Sequence, residues 1–435
     1  MTVPDPQHAR RFAVQVVRRL RDAGFQALWA GGCVRDHLLG LCPKDYDVAT
    51  DATPDQIRAV FGLERTLAIG QAFGVITVLG SRRSGHIEVA TFRRDAPYSD
   101  GRHPDRVTFS TAEEDAQRRD FTINGVFYDP LDERVIDYVG GQEDLRRRLV
   151  RAIGDPVARI AEDKLRMLRA VRFATVFEFQ LDPATLAAIE RQAHEIVIVS
   201  AERIAAELRQ MLLHRCRRRA VELLHAAGLL EVLLPEFRGL APPGDRDPEG
   251  SRWQRTLAVL ERLREPTFAV AIAALVREVV QPSGTRVPEV EQICDRLRLA
   301  NAERAGAAWM LLQEPLVRCA SRLAWSRLQP VLVHPRVDEL LCYTHAVAAV
   351  VDGHTREIDY CRQRLNLPRA ELDPAPLLTG DDLTAHGMRP GPVYRELLQA
   401  VRDAQLDGRI RTPQEALTFI QPLSVGGAAA KQQLP

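Results

Sequence analysis

Apolar residues recur along this chain in two rhythms, and the change from one to the other divides it. Phe12, Val16 and Leu20 stand four apart within residues 6–23, the spacing of one helix face. Ala27-Leu28-Trp29-Ala30 is a short apolar run that ends in a glycine pair, and it reads as a buried strand. Residues 53–61 predict a helix opened by Thr53 as cap, with Pro54 at its first position. Residues 74–79 and 86–92 read as two strands joined by a turn at 80–85, hence a hairpin. Residues 94–106 are polar and rich in Gly, Pro and Asp, which predicts a flexible loop. After Gly140-Gly141 the strand rhythm nearly vanishes. Residues 162–177, 201–213 and 217–227 predict helices, residues 242–250 a loop or linker, and residues 424–435 a disordered tail without periodicity. The pattern therefore predicts a mixed α/β head followed by all-helical domains. At 435 residues the chain exceeds one ordinary core, so about two to four domains are expected.

Composition adds little until it is localised. The chain is 27% charged and 46% hydrophobic, with a net charge of only +1, which describes a globular protein without an overall bias toward nucleic acid. Residues 146–219, however, carry 16 Lys and Arg against 9 Asp and Glu. That strip fits a phosphate-backbone footprint, and it equally fits solvated helix faces. The seven cysteines include no C-x-x-C pair, so neither a disulfide framework nor a zinc site is expected, and a reducing compartment follows. The opening Met-Thr-Val-Pro-Asp-Pro lacks an apolar segment and no run is long and apolar enough to span a bilayer. A cytoplasmic location is the expectation.

Candidate chemistry concentrates near the first glycines. Gly31-Gly32 follows a strand and opens a short helix, a geometry in which backbone N–H groups can meet a phosphate. Asp45 and Asp47 alternate with Tyr46 and Val48, which on a strand puts both carboxylates on one face. Paired acids beside a phosphate site suit Mg²⁺ and nucleotidyl transfer through two metals. Glu88, on a strand that can lie beside this one, is a third acid for holding metal or assisting deprotonation. Arg118-Arg119-Asp120-Phe121-Thr122-Ile123-Asn124 offers a phosphate clamp and acceptors for a ribose. Asp163, Arg166, Arg169 and Arg172 are spaced by three, so on one helix they form a stripe whose donors and acceptors can match the edge of a base. A salt-bridged helix explains that stripe as well. The histidines have no companions at metal-ligand spacing, and G-x-S-x-G, Walker A and His-Asp signatures are absent.

Together these segments resemble the class II tRNA nucleotidyltransferase and bacterial poly(A) polymerase family. The resemblance rests on Gly31-Gly32-Cys33-Val34-Arg35-Asp36 with Asp45-x-Asp47, Glu88-Val89-Ala90-Thr91-Phe92-Arg93, Asp100-Gly101-Arg102-His103-Pro104, the Arg118–Asn124 segment, Gly140-Gly141-x-x-Asp144-Leu145, Ile153-Gly154-Asp155-Pro156 and residues 162–173. It implies a polymerase-β-like head over residues 1–145, a helical neck at 146–220, a body at 221–335 and an RNA-binding tail at 336–423. It implies template-independent addition of C, C and A to tRNA 3′ ends from CTP and ATP. By motif, Asp45 and Asp47 hold Mg²⁺, and Gly32 and Arg35 meet the triphosphate. Arg119 and Asp120 contact the nucleotide, with Asp120 near the ribose. Asp163 and Arg166 read the base, and Arg169 and Arg172 support them or the phosphates. The full-length loop at 94–106 argues against an enzyme limited to adding CC. Gly70-Gln71-Ala72-Phe73-Gly74 departs from the basic stretch usual in poly(A) polymerases, and Ala274-Leu275-Val276-Arg277-Glu278 stands where some relatives carry a hydrolase motif. An A-adding enzyme, a poly(A) polymerase and a catalytically silent tRNA-binding protein remain as alternatives.

Overall fold

A computed structural model describes residues 5–95, 107–238, 240, 252–388 and 391–429. The chain forms two compact units, residues 1–238 and 239–435. The Asp100–Pro104 motif and the segment at 242–250 lie outside the described residues.

The first unit opens with α1 (Pro6–Asp22). Asp5 caps it by accepting the N–H groups of Gln7 and His8. The face Ala9, Ala13, Val16, Val17 and Leu20 is buried against the sheet. Then come β1 (Ala27–Ala30), α2 (Gly32–Leu38), β2 (Asp47–Thr50), α3 (Pro54–Phe61), β3 (Thr66–Leu67), β4 (Val75–Leu79) and β5 (His86–Thr91). The expected start of α3 is present as a capping box, Thr53 and Gln56 each bonding the other's backbone. A ribbon of β6 (Arg93–Asp95) and β7 (Val107–Phe109) follows, so Arg94 and Asp95 are strand where loop was expected. Next are α4 (Ala112–Gln117), β8 (Val126–Asp129), β9 (Arg134–Asp137) and α5 (Gly141–Arg147). The main sheet runs β3-β4-β5-β2-β1-β8-β9. Its pairs are antiparallel except β2 with β5, which is parallel. Trp29 on β1 is fully buried between Tyr46 and Tyr128 and anchors the core on the α1 side.

Helices then dominate: α6 (Pro156–Glu162), α7 (Leu165–Val176), α8 (Pro183–Gln192), α9 (Ala201–Leu212) and α10 (Arg217–Ala226). The stretch 162–177 is not the single helix that its periodicity predicts. α6 ends at Glu162, Asp163 is extended at φ −145° and ψ 109°, and α7 begins at Leu165. The reason is local: Asp163 Oδ1 accepts the Leu165 N–H, an alternative to continuing the helix. Asp45 also differs from expectation. It lies before β2, because the ladder with β1 ends at Ala30↔Asp47. Beyond Ala30 the chain turns away at Gly31 and leaves Asp45 no partner strand.

The second unit is helical, with long elements at Asn301–Val317, Val337–Val351, Pro392–Leu406 and Pro413–Ala429. Phe268–Val276 is buried along its whole length, which explains the apolar run there. Among the described residues no helix is long and apolar enough to cross a membrane. The last helix continues through residues 424–429, where a disordered tail was expected. Extending a helix already begun costs far less than starting one. Residues 430–435 lie outside the described residues.

Candidate active site

The site is built where β1 turns into α2. Gly31 sits at φ 71° and ψ −133°, a conformation open to glycine and costly for other residues. The turn lets the backbone of Gly31 and Gly32 line a cavity of about 410 Å³. Arg35, one turn into α2, is buried and fixed from three sides. Its Nη1 donates to Asn124 Oδ1 at 2.6 Å, and its Nε and Nη2 donate to Asp36 Oδ1 at 2.9 and 2.7 Å. Its guanidinium lies 4.4 Å from the ring centre of Phe177 and 5.3 Å from that of Phe173. Burial pushes the Cys33 thiol up to about 12, so this cysteine of the motif is a packing residue and not a nucleophile.

Asp47 reaches the same cavity from the start of β2. The parallel register of β2 and β5 sets Glu88 directly beside it. Burial, then the neighbouring Glu88 charge, lifts the Asp47 carboxyl to about 6, with Arg119 opposing and Asp45 adding to the rise. Asp47 is exposed as a residue, while the atoms packed around its carboxyl partly desolvate it. Such a concentration of like charge is what a divalent cation relieves, so the acids fit a metal. Among the described residues no three His, Cys, Asp or Glu side chains cluster tightly enough to hold an ion by themselves. Oxygens from a phosphate-bearing substrate would have to complete the shell.

The opposite wall is arginine-rich and organised by two buried aspartates. Asp115 on α4 is 1% exposed. Its Oδ1 accepts Arg118 Nε at 2.9 Å, and its Oδ2 accepts Arg119 Nε and Nη2 at 3.2 and 2.9 Å. Burial alone would raise this carboxyl, but Arg119 and Arg118 hold it below its ordinary value. Asp120 is bonded at both oxygens. Oδ2 accepts Arg169 Nε and Nη2 at 2.8 and 2.5 Å, while Oδ1 accepts the Phe121 N–H at 2.8 Å and Asn124 Nδ2 at 3.0 Å. Burial would raise it, yet Arg169 and Asn124 bring it down to about 2. Asp163, Arg166, Arg169, Phe173 and Arg203 also line the cavity. Arg166 donates to the Arg159 carbonyl at 2.7 Å and pairs with Glu162. Arg203 donates to Asp163 at 2.8 Å.

The Poly A polymerase head domain matches residues 27–151, and the probable RNA and SrmB-binding site of polymerase A matches residues 178–240. The chain is 40% identical over 222 residues to the CCA-adding enzyme of Bacillus pumilus, and this match spans 51% of the chain and 54% of that relative. It thus spans about half the length of several such relatives. With the CCA-adding enzyme of Levilactobacillus brevis the match is 31% over 405 residues, 92% of this chain and 95% of that one. The chain belongs to the class II tRNA nucleotidyltransferase family. The fold agrees: the Bacillus stearothermophilus CCA-adding enzyme in complex with CTP superposes with a TM-score of 0.72 at 27% identity, covering 96% of this chain and 98% of that one. The head has the polymerase-β-like fold of this family, and nucleotidyltransferases of this family depend on a divalent metal.

Of the residues that the motifs single out, Gly32, Arg35, Asp47, Arg119, Asp120, Asp163, Arg166 and Arg169 meet in the one cavity. Asp45, Glu88 and Arg172 do not line it. Arg172 donates to Glu207 at 2.5 Å and covers the Phe173 ring at 4.2 Å. The stripe of four thus splits, because Asp163 left the helix and Arg172 is paired with Glu207. Sequence reasoning passed over Asp115, one acid in a run of three, and Arg203, which no local motif marks. The basic strip is partly neutralised by its own acids, as in Arg203 with Asp163 at 2.8 Å and Arg172 with Glu207. All seven cysteines are free thiols in the structure.

Proposed function

We propose that this chain adds C, C and A to the 3′ end of tRNA from CTP and ATP, without a template and with release of pyrophosphate. One observation carries the reading: a single cavity joins a phosphate-accepting turn at Gly31-Gly32, a crowded carboxylate at Asp47, and the acceptor–donor pair Asp163 and Arg166. The backbone at Gly32 and the side chain of Arg119 bind the triphosphate. Arg35, locked to Asn124, fixes the shape of that turn. Asp163 accepts a hydrogen bond from the amino group of cytosine or adenine, and Arg166 donates to the ring edge, so protein groups replace a template base. Arg169, held by Asp120, closes the wall beside the nucleotide. Asp45 and Asp47 would hold Mg²⁺, which would supply charge stabilisation for the primer hydroxyl and the leaving pyrophosphate. Glu88 stands in register beside Asp47 to take up or orient the proton of that hydroxyl. Residues 1–145 act as head, 146–220 as neck, 221–335 as body and 336–423 as an RNA-binding tail, in a cytoplasmic protein.

The test uses purified protein, Mg²⁺ and three tRNAs, ending at the discriminator base, at the second C, or complete. CTP, ATP or both are supplied, and products are resolved at single-nucleotide length. Growth of the shortest tRNA by three nucleotides followed by arrest is the expected result. Addition of A alone to the CC-ended tRNA identifies an A-adding enzyme. Long A tails on unrelated RNA identify a poly(A) polymerase, and binding without extension identifies a silent tRNA-binding protein.

A further inference from the structure

The carboxylate at the selective end of the cavity is itself gripped at both oxygens. Asp163 stands between α6 and α7 in extended conformation. Its Oδ1 accepts the Leu165 N–H at 3.0 Å. Its Oδ2 accepts Arg203 Nη2 at 2.8 Å. Arg203 comes from α9, a different element from either neighbour of Asp163, and it lines the same cavity as Asp163 and Arg166. Both side chains are largely shielded, at 23% exposure for Arg203 and 16% for Asp163. Arg166 is fixed separately, by Glu162 and the Arg159 carbonyl. The two groups proposed to meet a base therefore depend on different partners.

We propose that Arg203 is a specificity-determining positioning residue: by holding Asp163 Oδ2 it aims the remaining lone pairs of that carboxylate at the amino group of cytosine or adenine. This rests on the nucleotide-selecting reading of the cavity given above. A carboxylate has about four lone-pair sites. With one taken by Leu165 and one by Arg203, those left have fixed directions. Cytosine N4 and adenine N6 carry donors, whereas guanine O6 and the O4 of uracil are acceptors. A fixed acceptor attracts the first pair and repels the second. An Asp free to rotate would turn aside from the wrong base, and the repulsive half of the discrimination would be lost. Arg203 meets the carboxylate through a single N–H, and a Lys at the same position can supply one charged donor in its place.

The experiment measures kcat/KM for CTP, ATP, UTP and GTP on CCA-lacking tRNAs, with wild type, Arg203→Gln, Arg203→Lys, Asp163→Ala and the Arg203→Gln/Asp163→Ala double variant. Melting temperatures are followed in parallel. Arg203→Gln is expected to lower the ratio of correct to incorrect nucleotides about tenfold, the size of one charge-assisted hydrogen bond. Most of that change should appear as a lowered KM for UTP and GTP relative to CTP and ATP. Arg203→Lys should restore the ratio to within about threefold of wild type, since the charge remains. The double variant should discriminate no worse than Asp163→Ala, because the two residues act as one unit. A uniform loss across all four nucleotides, or additive losses in the double variant, would overturn the inference. Wild type that selects C and A beside an Arg203→Gln variant that selects equally well overturns the role of Arg203 alone. Wild type that adds no nucleotide overturns the enzymatic reading and this inference with it.

Discussion

Asp47 and Glu88 stand side by side across β2 and β5, the parallel pair of the head sheet. Arg119 offsets this charge only in part, and the Asp47 carboxyl is lifted to about 6 by burial and by Glu88. The arrangement assigns unequal roles. Asp47→Asn should lower nucleotide addition about a thousandfold or more, since metal-assisted charge stabilisation supplies several kcal/mol. Glu88→Gln should cost about 10- to 100-fold, the range for a group that supports a metal or its ligands. Single-turnover rates at saturating Mg²⁺ separate the two, and equal losses would place Glu88 among the cation's own ligands. Removing divalent cations with a chelator should abolish addition, and Mg²⁺ should restore it.

The Asp120–Arg169 pair sets an acid limit on stability. The Asp120 carboxyl lies at about 2 in the fold, below an ordinary unfolded value of about 3.9. A depressed carboxyl stabilises the protein at pH above its unfolded value, and this contribution is lost as pH falls through its folded value. Urea midpoints should therefore drop between about pH 4 and pH 2. Asp120→Asn should cost about 2–3 kcal/mol at pH 7 and flatten that acid decline. An undiminished decline in the variant would assign the acid sensitivity to other groups.

Asp115 supports two arginines of the cavity from beneath, and its removal leaves both without their carboxylate. Asp115→Ala is expected to cost about 3–5 kcal/mol, because it strands charge around a buried position. Asp115→Asn keeps the shape and one acceptor oxygen, so it is the better probe of function. It should raise KM for CTP and ATP about tenfold through misplaced Arg118 and Arg119. Steady-state kinetics at fixed tRNA read this out. A change in kcat with KM untouched would mean that the clamp serves the chemical step and not nucleotide binding.

Gly31→Ala tests the turn. A Cβ at Gly31 would lie 3.0 Å from Arg119 Nη1, and the backbone there is at positive φ. The strain should lower stability by about 1–3 kcal/mol, measured by denaturant unfolding. Displacement of Arg119 should weaken triphosphate binding as well. Normal nucleotide affinity in a destabilised variant would show that Arg119 gives way without loss.

Local patterns along the chain were enough to locate β1, the Gly31-Gly32 turn, the cap at Thr53, the β4–β5 hairpin and the change to helices after Gly140-Gly141. Each depends on residues a few positions apart, where periodicity and capping chemistry act. The same locality explains why contiguous motifs marked most of the cavity's lining. The folded chain alone decided the rest. It put Glu88 in register with Asp47, left Asp45 short of the strand, broke the helix at Asp163, and turned Arg172 toward Glu207. It also brought Asp115 and Arg203 to the site. Spacing along one helix specifies a face but not which helix packs against it, and an aspartate can cap its own backbone as readily as face a ligand. Which carboxylate holds which arginine is settled by the docking of separate elements, and this the sequence alone does not order.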